Sequence, residues 1–233
     1  MAYCRGRRPC PSRHQRSRAV APWLPEEARR DARILAVDEA FHGRASREGR
    51  GLVQRRAGIQ PIPLPHPAIE YLTGVLSPDE AAGQLQTVAR AIATETLTSG
   101  ELGKAARNPE VYPALDILVL SHALDEGKHR TQHVGYLKAL VANLSPAGRR
   151  LPAAEIGRTL VESLRRDEPW LAEALLQAGI GRDAASVARE TASHPDRAAE
   201  IRASSRQTLG LLRRLGVLDD PGTEELFRDL GLL

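Results

Sequence analysis

The chain has 233 residues, a formal net charge of +4, 42% hydrophobic residues and only 3% aromatic residues. This length supports one substantial core, which must consist mainly of alanine, leucine and valine because aromatic side chains are so few. No run of 18 apolar residues occurs, so we expect no membrane partner. Both cysteines, Cys4 and Cys10, lie near the start, which leaves the rest without a disulfide and favours a reducing, cytoplasmic location.

The basic character is concentrated at the start of the chain. Residues 1–20 contain six arginines and no acidic residue, so the remainder of the chain is slightly acidic. This stretch has no apolar periodicity, and we predict that residues 1–22 form a disordered basic tail outside the core. Cys4, Cys10 and His14 make a poor zinc site because a fourth ligand is lacking. The tail also lacks interleaved aromatic residues, so we expect no nucleic-acid partner.

The remainder, residues 23–233, is expected to form a single helical domain. Apolar residues recur with helical spacing, prolines stand where first helical turns are expected, and no alternation typical of strands is present. Pro169 is expected to interrupt one helix, and Thr223 is the expected N-cap of the last. The predicted helices cover residues 25 to beyond 42, 68–75, 77–106, 113–143, 152–175 with its interruption, 183–192, 195–215 and 223 onward. The predicted fold class is therefore all-α.

The central predicted helix, residues 113–143, carries an unusual polar stripe. At about 100° per residue, its side chains His122, Glu126, His129 and His133 all fall on one side. Imidazoles and a carboxylate on a buried helix face are costly unless something pairs with them. A divalent metal ion such as iron, zinc or manganese is the usual partner. A solvated polar face is the alternative, and a lone Glu-x-x-His motif would favour it.

Two further segments favour the metal site. Residues 38–42 (Asp-Glu-Ala-Phe-His) repeat the pattern of residues 125–129 (Asp-Glu-Gly-Lys-His) on a second predicted helix. In each motif the glutamate and the histidine lie on adjacent turns of one face, so both can reach the same metal pair. Two such motifs, with a lone inward glutamate from each remaining helix, form a dinuclear carboxylate site. Glu95, which lies mid-helix among small and apolar residues, is the candidate for one of these glutamates.

Together, these residues resemble the p-aminobenzoate N-oxygenase family of non-haem di-iron oxygenases. Paired Glu-x-x-His motifs are typical of any ferritin-like di-iron protein, and the extra histidine one turn ahead of the second motif, His122, is the more specific mark. The resemblance covers about residues 31–144 and implies a ferritin-like helical bundle with additional C-terminal helices. The metal ligands that it implies are Glu39, His42, Glu95, His122, Glu126 and His129. Asp38 and Asp125 would hold imidazole N–H groups, whereas His133 matches no ligand of the family.

The resemblance also implies a function. Residues 23–233 would form a di-iron oxygenase-like domain that uses two non-haem iron ions and O2. Its reaction would transfer oxygen to the nitrogen of an arylamine or similar amine in a biosynthetic pathway, with carbon hydroxylation as the nearest chemical alternative. The implied partners are a small-molecule amine substrate and an electron donor, and a homodimer is compatible with this interpretation. The competing hypothesis is a degenerate or non-catalytic metal-binding helical bundle.

One part of the family pattern is not found in this sequence. The family supplies a further glutamate from a helix before the first motif, whereas the basic tail lies in that place here. Glu26 and Glu27 belong to the same predicted helix as Glu39 and point away from its face. Three explanations stay open: the authentic N-terminus is missing, another carboxylate substitutes, or the site has changed. For the chain as written we expect incomplete metal ligation unless another carboxylate substitutes. The other carboxylates to consider are Glu70, Asp79 and Glu80.

Overall fold

The computed structural model describes residues 26–58, 60, 62, 66–74, 81–107, 113–181 and 183–233. The expected basic tail, residues 1–22, lies outside these residues. The described residues form α-helices and no strand, which confirms the predicted all-α class. The helices are α1 (Glu26–Ala57), α2 (Pro67–Thr73), α3 (Ala81–Ala105), α4 (Pro113–Asn143), α5 (Pro146–Leu164), α6 (Glu168–Gln177), α7 (Ala184–Ser193), α8 (Arg197–Arg214) and α9 (Pro221–Asp229). In this part of the chain, none of them combines the length and the apolar character that a bilayer crossing requires.

Local sequence signals account for several helix ends. The helix predicted for residues 113–143 is α4, and Ser145 caps α5 immediately after it. Pro169 does not interrupt a helix but lies in the first turn of α6, where a proline loses no helical hydrogen bond. The break precedes it, because Asp167 accepts a hydrogen bond from the backbone N–H of Trp170 and so starts the new helix.

The prediction that Thr223 caps the last helix is wrong. The N-cap of α9 is Asp220, whose carboxylate accepts hydrogen bonds from both the backbone N–H and the hydroxyl of Thr223. Arg150 of α5 donates two further hydrogen bonds to the same carboxylate. The Arg150 guanidinium, with the Thr223 amide, holds the pKa of Asp220 far below its usual range. Because one carboxylate serves both partners, the cap of α9 is also its attachment to α5.

The apolar core is built around α3. This helix packs against α4, α5 and α8, and its Ile92 and Ala93 are fully buried. Leu160 of α5, Leu212 of α8 and Phe227 of α9 complete the interior from the other elements. Aliphatic side chains dominate this core, as the low aromatic content of the sequence predicts.

α1 packs antiparallel against α4 and brings the two repeated motifs side by side. The direction follows from two contacts: Asp38 lies against His129, and His42 lies against Asp125. Among the described residues, no apolar side chain of α1 belongs to the buried core. Phe41, next to the buried histidine, is 66% exposed. α1 therefore meets α4 through polar side chains.

A buried ion pair ties α2, α3 and α5 together. Arg90 of α3 and Glu155 of α5 approach within 2.8 Å, and their side chains are only 12% and 4% exposed. Tyr71 of α2 donates a hydrogen bond to the Glu155 carboxylate, while Arg90 donates to the Tyr71 carbonyl and lies over its ring. Burial raises the pKa of Tyr71, so its hydroxyl remains a donor. Each buried charge thus has several partners, as a buried pair requires.

We predict that Glu155→Gln destabilises the fold, because it leaves the Arg90 guanidinium buried without its counter-charge. The expected loss is about 3 kcal/mol in the free energy of unfolding, measured by urea denaturation. Glu162→Gln on the same helix is the matched control, since Glu162 pairs with Arg165 at the surface, where such pairs contribute little. Equal stability of the two variants would contradict the importance of the buried pair.

Candidate metal centre

Three helices contribute polar side chains to one region of the structure. α4 is helical throughout residues 113–143, so side chains three or four residues apart project on one side from successive turns. α1 presents its own motif from the antiparallel direction, and α3 adds a glutamate from a stretch of small and apolar residues. The structure brings together all six side chains that the sequence indicated: Glu39, His42, Glu95, His122, Glu126 and His129.

Four of the six side chains form the central group. One ligand atom from each of its members lies within 4.8 Å of the others, and the members are Glu39, His42, Glu126 and His129. His129 Nδ1 lies 3.1 Å from Glu39 Oε1. His42 Nδ1 lies 3.4 Å from Glu39 Oε1 and 3.5 Å from Glu126 Oε1. Both histidines therefore direct Nδ1 toward the carboxylates, and both are buried.

Glu95 and His122 adjoin this central group. Glu95 Oε2 lies 3.9 Å from His129 Nδ1, so α3 reaches the same nitrogen as the motif of α1. His122 Nε2 lies at hydrogen-bond distance, 2.9 Å, from Glu126 Oε1. The centre of the His122 ring is also 4.0 Å from that of His42. Each of the two residues is partly buried, and each contacts a member of the central group directly.

The two aspartates that precede the motif glutamates contact the opposite helix. Asp38 Oδ2 of α1 lies 3.5 Å from His129 Nε2 of α4, and Asp125 Oδ2 of α4 lies 3.5 Å from His42 Nε2 of α1. Each imidazole therefore has Nδ1 toward the cluster and Nε2 toward an aspartate. Lys128 lowers the pKa of Asp125 through a 2.8 Å hydrogen bond, and His42 contributes further. An anionic Asp125 is suited to accept the Nε2–H of His42.

The donor set fits a divalent metal ion better than a network of internal hydrogen bonds. The Glu126 side chain is 3% exposed, and within the described ranges its charged partners are histidines alone. Glu126 Oε2 and both ring nitrogens of His129 are buried there without a hydrogen-bond partner. A buried carboxylate that lacks a counter-charge is costly. Convergent carboxylate oxygens and imidazole nitrogens are ligands for iron, zinc or manganese.

Of the other carboxylates considered from the sequence, those that the structure describes do not complete this set. Glu26 and Glu27 are exposed at the start of α1, and Glu70 is exposed on α2. Asp79 and Glu80 lie outside the described residues. The ligand set that can be assigned from the described residues therefore comprises three glutamates and three histidines.

His133 continues the stripe of α4 but lies beside the cluster. Its Nδ1–H donates to the carbonyl of His129 at 2.9 Å, which gives this buried residue the hydrogen bond expected of it. Burial lowers the pKa of His133 to about 4, so its ring is neutral near pH 7. The Tyr136 ring lies nearly perpendicular to this imidazole, with 5.4 Å between the ring centroids. The sequence interpretation overlooked Tyr136, although its spacing of three residues from His133 puts the two on one face.

Comparisons of the chain with protein-family models, with curated proteins and with solved structures found no match. The chemistry of these side chains is therefore inferred from their arrangement. Two antiparallel helices carry the same motif, and a third helix adds a glutamate at their contact. Such a set of nitrogen and oxygen donors is a candidate site for one metal ion or for a metal pair.

We predict that Asp38→Asn and Asp125→Asn each weaken metal binding by about 10- to 100-fold, because the imidazoles lose the acceptors that orient them. Affinity for Fe(II) or Co(II) can be measured by competition with a chromophoric chelator. Glu48→Gln is the matched control on α1, since Glu48 forms an exposed ion pair with Arg44. Unchanged affinity in both aspartate variants would refute their role in positioning the histidines.

Proposed function

We propose that this chain is a ferritin-like, non-haem di-iron oxygenase. The single observation that carries the proposal is the convergence of three glutamates and three histidines from α1, α3 and α4. The sequence pattern indicates the same residues, and two of the helices carry the same Asp-Glu-x-x-His motif. A chance arrangement of surface acids does not account for this, because His42, Glu126 and His129 are buried and the other three residues are partly buried.

Each helix of the motif pair would provide one glutamate and one histidine to the metal ions. Glu39 and His42 would ligate from α1, Glu126 and His129 from α4, and the neighbouring Glu95 and His122 would add to the set. With iron bound, this set supplies a centre that reduces O2 and transfers oxygen to a substrate. The histidine-rich composition leaves the site less anionic than an all-carboxylate site.

The protein's own residues would orient the ligands and limit the access of water. Asp38 and Asp125 lie 3.5 Å from Nε2 of the two motif histidines, where they would orient the rings with Nδ1 toward the metal. Glu126 and His129 are almost fully buried, whereas the Glu39 side chain is 26% exposed. O2 and a substrate would therefore reach the cluster beside α1.

Oxygen transfer to an amine nitrogen is supported by the position of His122. This extra histidine, one turn before the second motif, is what makes the site resemble the N-oxygenase family, and it contacts Glu126 directly. We infer an arylamine or a similar small amine as the substrate, and a separate protein or small molecule as the electron donor. Carbon hydroxylation at the same site is the nearest alternative chemistry.

A second candidate function is metal binding without catalysis. The observation that favours it is the size of the ligand set, since the exposed Glu26, Glu27 and Glu70 leave three glutamates in the described cluster. A centre with few carboxylates would hold one metal ion more tightly than the other. In that case the cluster would serve to attach α1 to α4.

We predict that the full chain, loaded anaerobically with Fe(II), reduced and exposed to O2, oxidises p-aminobenzoate at nitrogen. Hydroxylamino and nitro products can be measured by liquid chromatography with mass detection. Glu126→Gln and His129→Gln should abolish both iron binding and product, because they remove central ligands, while Glu101→Gln at the surface of α3 should change neither. Bound iron that oxidises without any amine or carbon product would favour the non-catalytic candidate. A chain that binds no iron would refute both.

We also predict that the full chain retains clearly less than two equivalents of tightly bound iron, because three carboxylates incompletely surround a metal pair. Iron per chain, measured by elemental analysis after desalting, tests this prediction directly. Two tightly bound equivalents would contradict it and would indicate that a carboxylate beyond the described cluster completes the site. Asp79→Asn and Glu80→Gln would then be the first variants to compare.

A further inference from the structure

An exposed row of side chains with the spacing of a coiled-coil seam runs along α1. Its members follow one another at alternating intervals of four and three residues, so they lie along one side of the helix. All of them are exposed, and together they are called the outer stripe: Arg30, Ile34, Val37, Phe41, Arg44 and Glu48. The apolar members Ile34, Val37 and Phe41 are 56%, 59% and 66% exposed. The stripe therefore has an apolar part in water and charged residues at its ends.

The outer stripe is not the side through which α1 contacts its own chain. Asp38, Glu39 and His42 face α4 and the metal cluster. At 3.6 residues per turn, the stripe is centred about 120° around the helix from these three side chains. In the described part of the chain, the main packing partner of α1 is α4. The outer stripe therefore points away from both the cluster and α4.

The outer stripe is complementary to a second copy of itself in the antiparallel direction. Its intervals of four, three, four, three and four residues are the same when read from either end. Two copies related by a twofold axis can therefore bring every member opposite another member. The facing pairs are Val37 with Phe41, Ile34 with Arg44, and Arg30 with Glu48. Such a pairing has an apolar centre and opposite charges at each end.

The distribution of charge along α1 favours this direction. Residues 26–40 contain five acidic and three basic residues, whereas residues 41–57 contain one acidic and five basic residues. Antiparallel pairing places the acidic half of one helix beside the basic half of the other. Parallel pairing in register would instead place Arg30, Arg44 and Glu48 against their own copies, which repel one another.

Arg44 can face an apolar residue because its charge already has a partner. Arg44 Nε donates a hydrogen bond to Glu48 Oε1 of the same chain at 2.9 Å. Its aliphatic stem is then free to cover Ile34 of a second copy, while the guanidinium stays at the edge. Glu48 still has room for Arg30 of that copy, because a carboxylate can accept several hydrogen bonds.

We propose that the outer stripe is the interface of a twofold dimer, in which α1 packs antiparallel against α1 of a second copy of this chain. Val37 and Phe41 of both copies would form the apolar centre, and Arg30 and Glu48 would form ion pairs between the copies. A self-complementary face is what a twofold dimer requires, and an exposed apolar patch commonly marks an interaction site. This interface is independent of the proposed oxygenase activity.

The dimer would give α1 the apolar packing that it lacks within its own chain. Among the described residues, no apolar side chain of α1 belongs to the buried core. Burial of Ile34, Val37 and Phe41 against the second copy would remove their apolar surface from water. Since association stabilises the folded chain by mass action, the thermal midpoint should rise with protein concentration.

Sedimentation velocity of the full chain over roughly 1 to 200 μM tests the pairing directly. We expect a reversible equilibrium between monomer and dimer, because one helix pair is near the lower size limit of a stable interface, about 1,000 Å². The measurement is made with and without added Co(II), since the position of α1 depends on the cluster. A monomer under both conditions would overturn the proposal. A monomer that dimerises only after deletion of residues 1–22 would also overturn it, because the start of the chain would then cover the stripe.

Variants locate the interface. Phe41→Gln should weaken dimerisation by at least about tenfold, because each dimer loses two rings from its centre. Leu176→Gln is the matched control, since Leu176 of α6 is 51% exposed and lies outside the stripe. An equal effect of the two variants would refute the assignment.

Exchange of the end charges tests the antiparallel register. Arg30→Glu and Glu48→Arg should each weaken dimerisation, because each places like charges opposite one another. The double variant should regain most of the affinity, because it restores opposite charges between the copies. A double variant as weak as the sum of the two single changes would refute the facing of Arg30 and Glu48.

Discussion

The burial of charged side chains between α1 and α4 is the constraint on which the arrangement of the cluster depends. Glu126, His42 and His129 are removed from water at the contact of these helices, and no apolar residue of α1 in the described range enters the core. Helices in small bundles are usually held by an apolar stripe, but Ile34 and Phe41, which lie two turns apart on α1, are exposed. The association of α1 with α4 therefore depends on what neutralises the cluster, and a bound metal ion would couple metal binding to folding.

α3 connects this polar contact to a conventional apolar core. Ile92 and Ala93 are buried against the neighbouring helices, and Glu95, within one turn, projects toward the cluster. The pair of Arg90 and Glu155 fixes α3 against α5 on another side. The rotation of α3 is thus set by apolar packing and by a buried ion pair, and both fix where the Glu95 carboxylate lies. The position of α3 is therefore fixed independently of the cluster, whereas the position of α1 depends on whether the charges of the cluster are neutralised.

The sequence predicted the helical class, the span of α4 and the six residues of the cluster, because each rests on local periodicity or on a repeated motif. It did not predict the ion pair of Arg90 and Glu155, because a sequence pattern does not indicate which charged residues far apart in the chain come into contact. A charged residue on an otherwise apolar helix face was the available signal. The prediction of Thr223 as the cap of α9 is wrong because Asp220, three residues earlier and directly before a proline at the first helical position, is the stronger capping signal.

The crossed contacts of the aspartates follow from symmetry. If two helices carry the same motif and pack antiparallel, a local twofold axis exchanges them, so the first residue of each motif lies opposite the last residue of the other. Asp38 then lies opposite His129, and His42 lies opposite Asp125. The two equal distances of 3.5 Å agree with this symmetry. The motif alone did not state this pairing, because the direction of packing was needed as well.

The same twofold relation also identifies where the two halves of the cluster differ. His122 precedes the second motif by three residues, and the equivalent position before the first motif is occupied by Leu35. The α4 half therefore has an additional imidazole, from the turn before its motif, at 2.9 Å from its motif glutamate, and the α1 half has a leucine there. Glu95 likewise comes from a single helix, α3, and approaches His129. Two metal ions in such a cluster would have different ligands and different affinities, so unequal occupancy would be a consequence of the ligand arrangement itself.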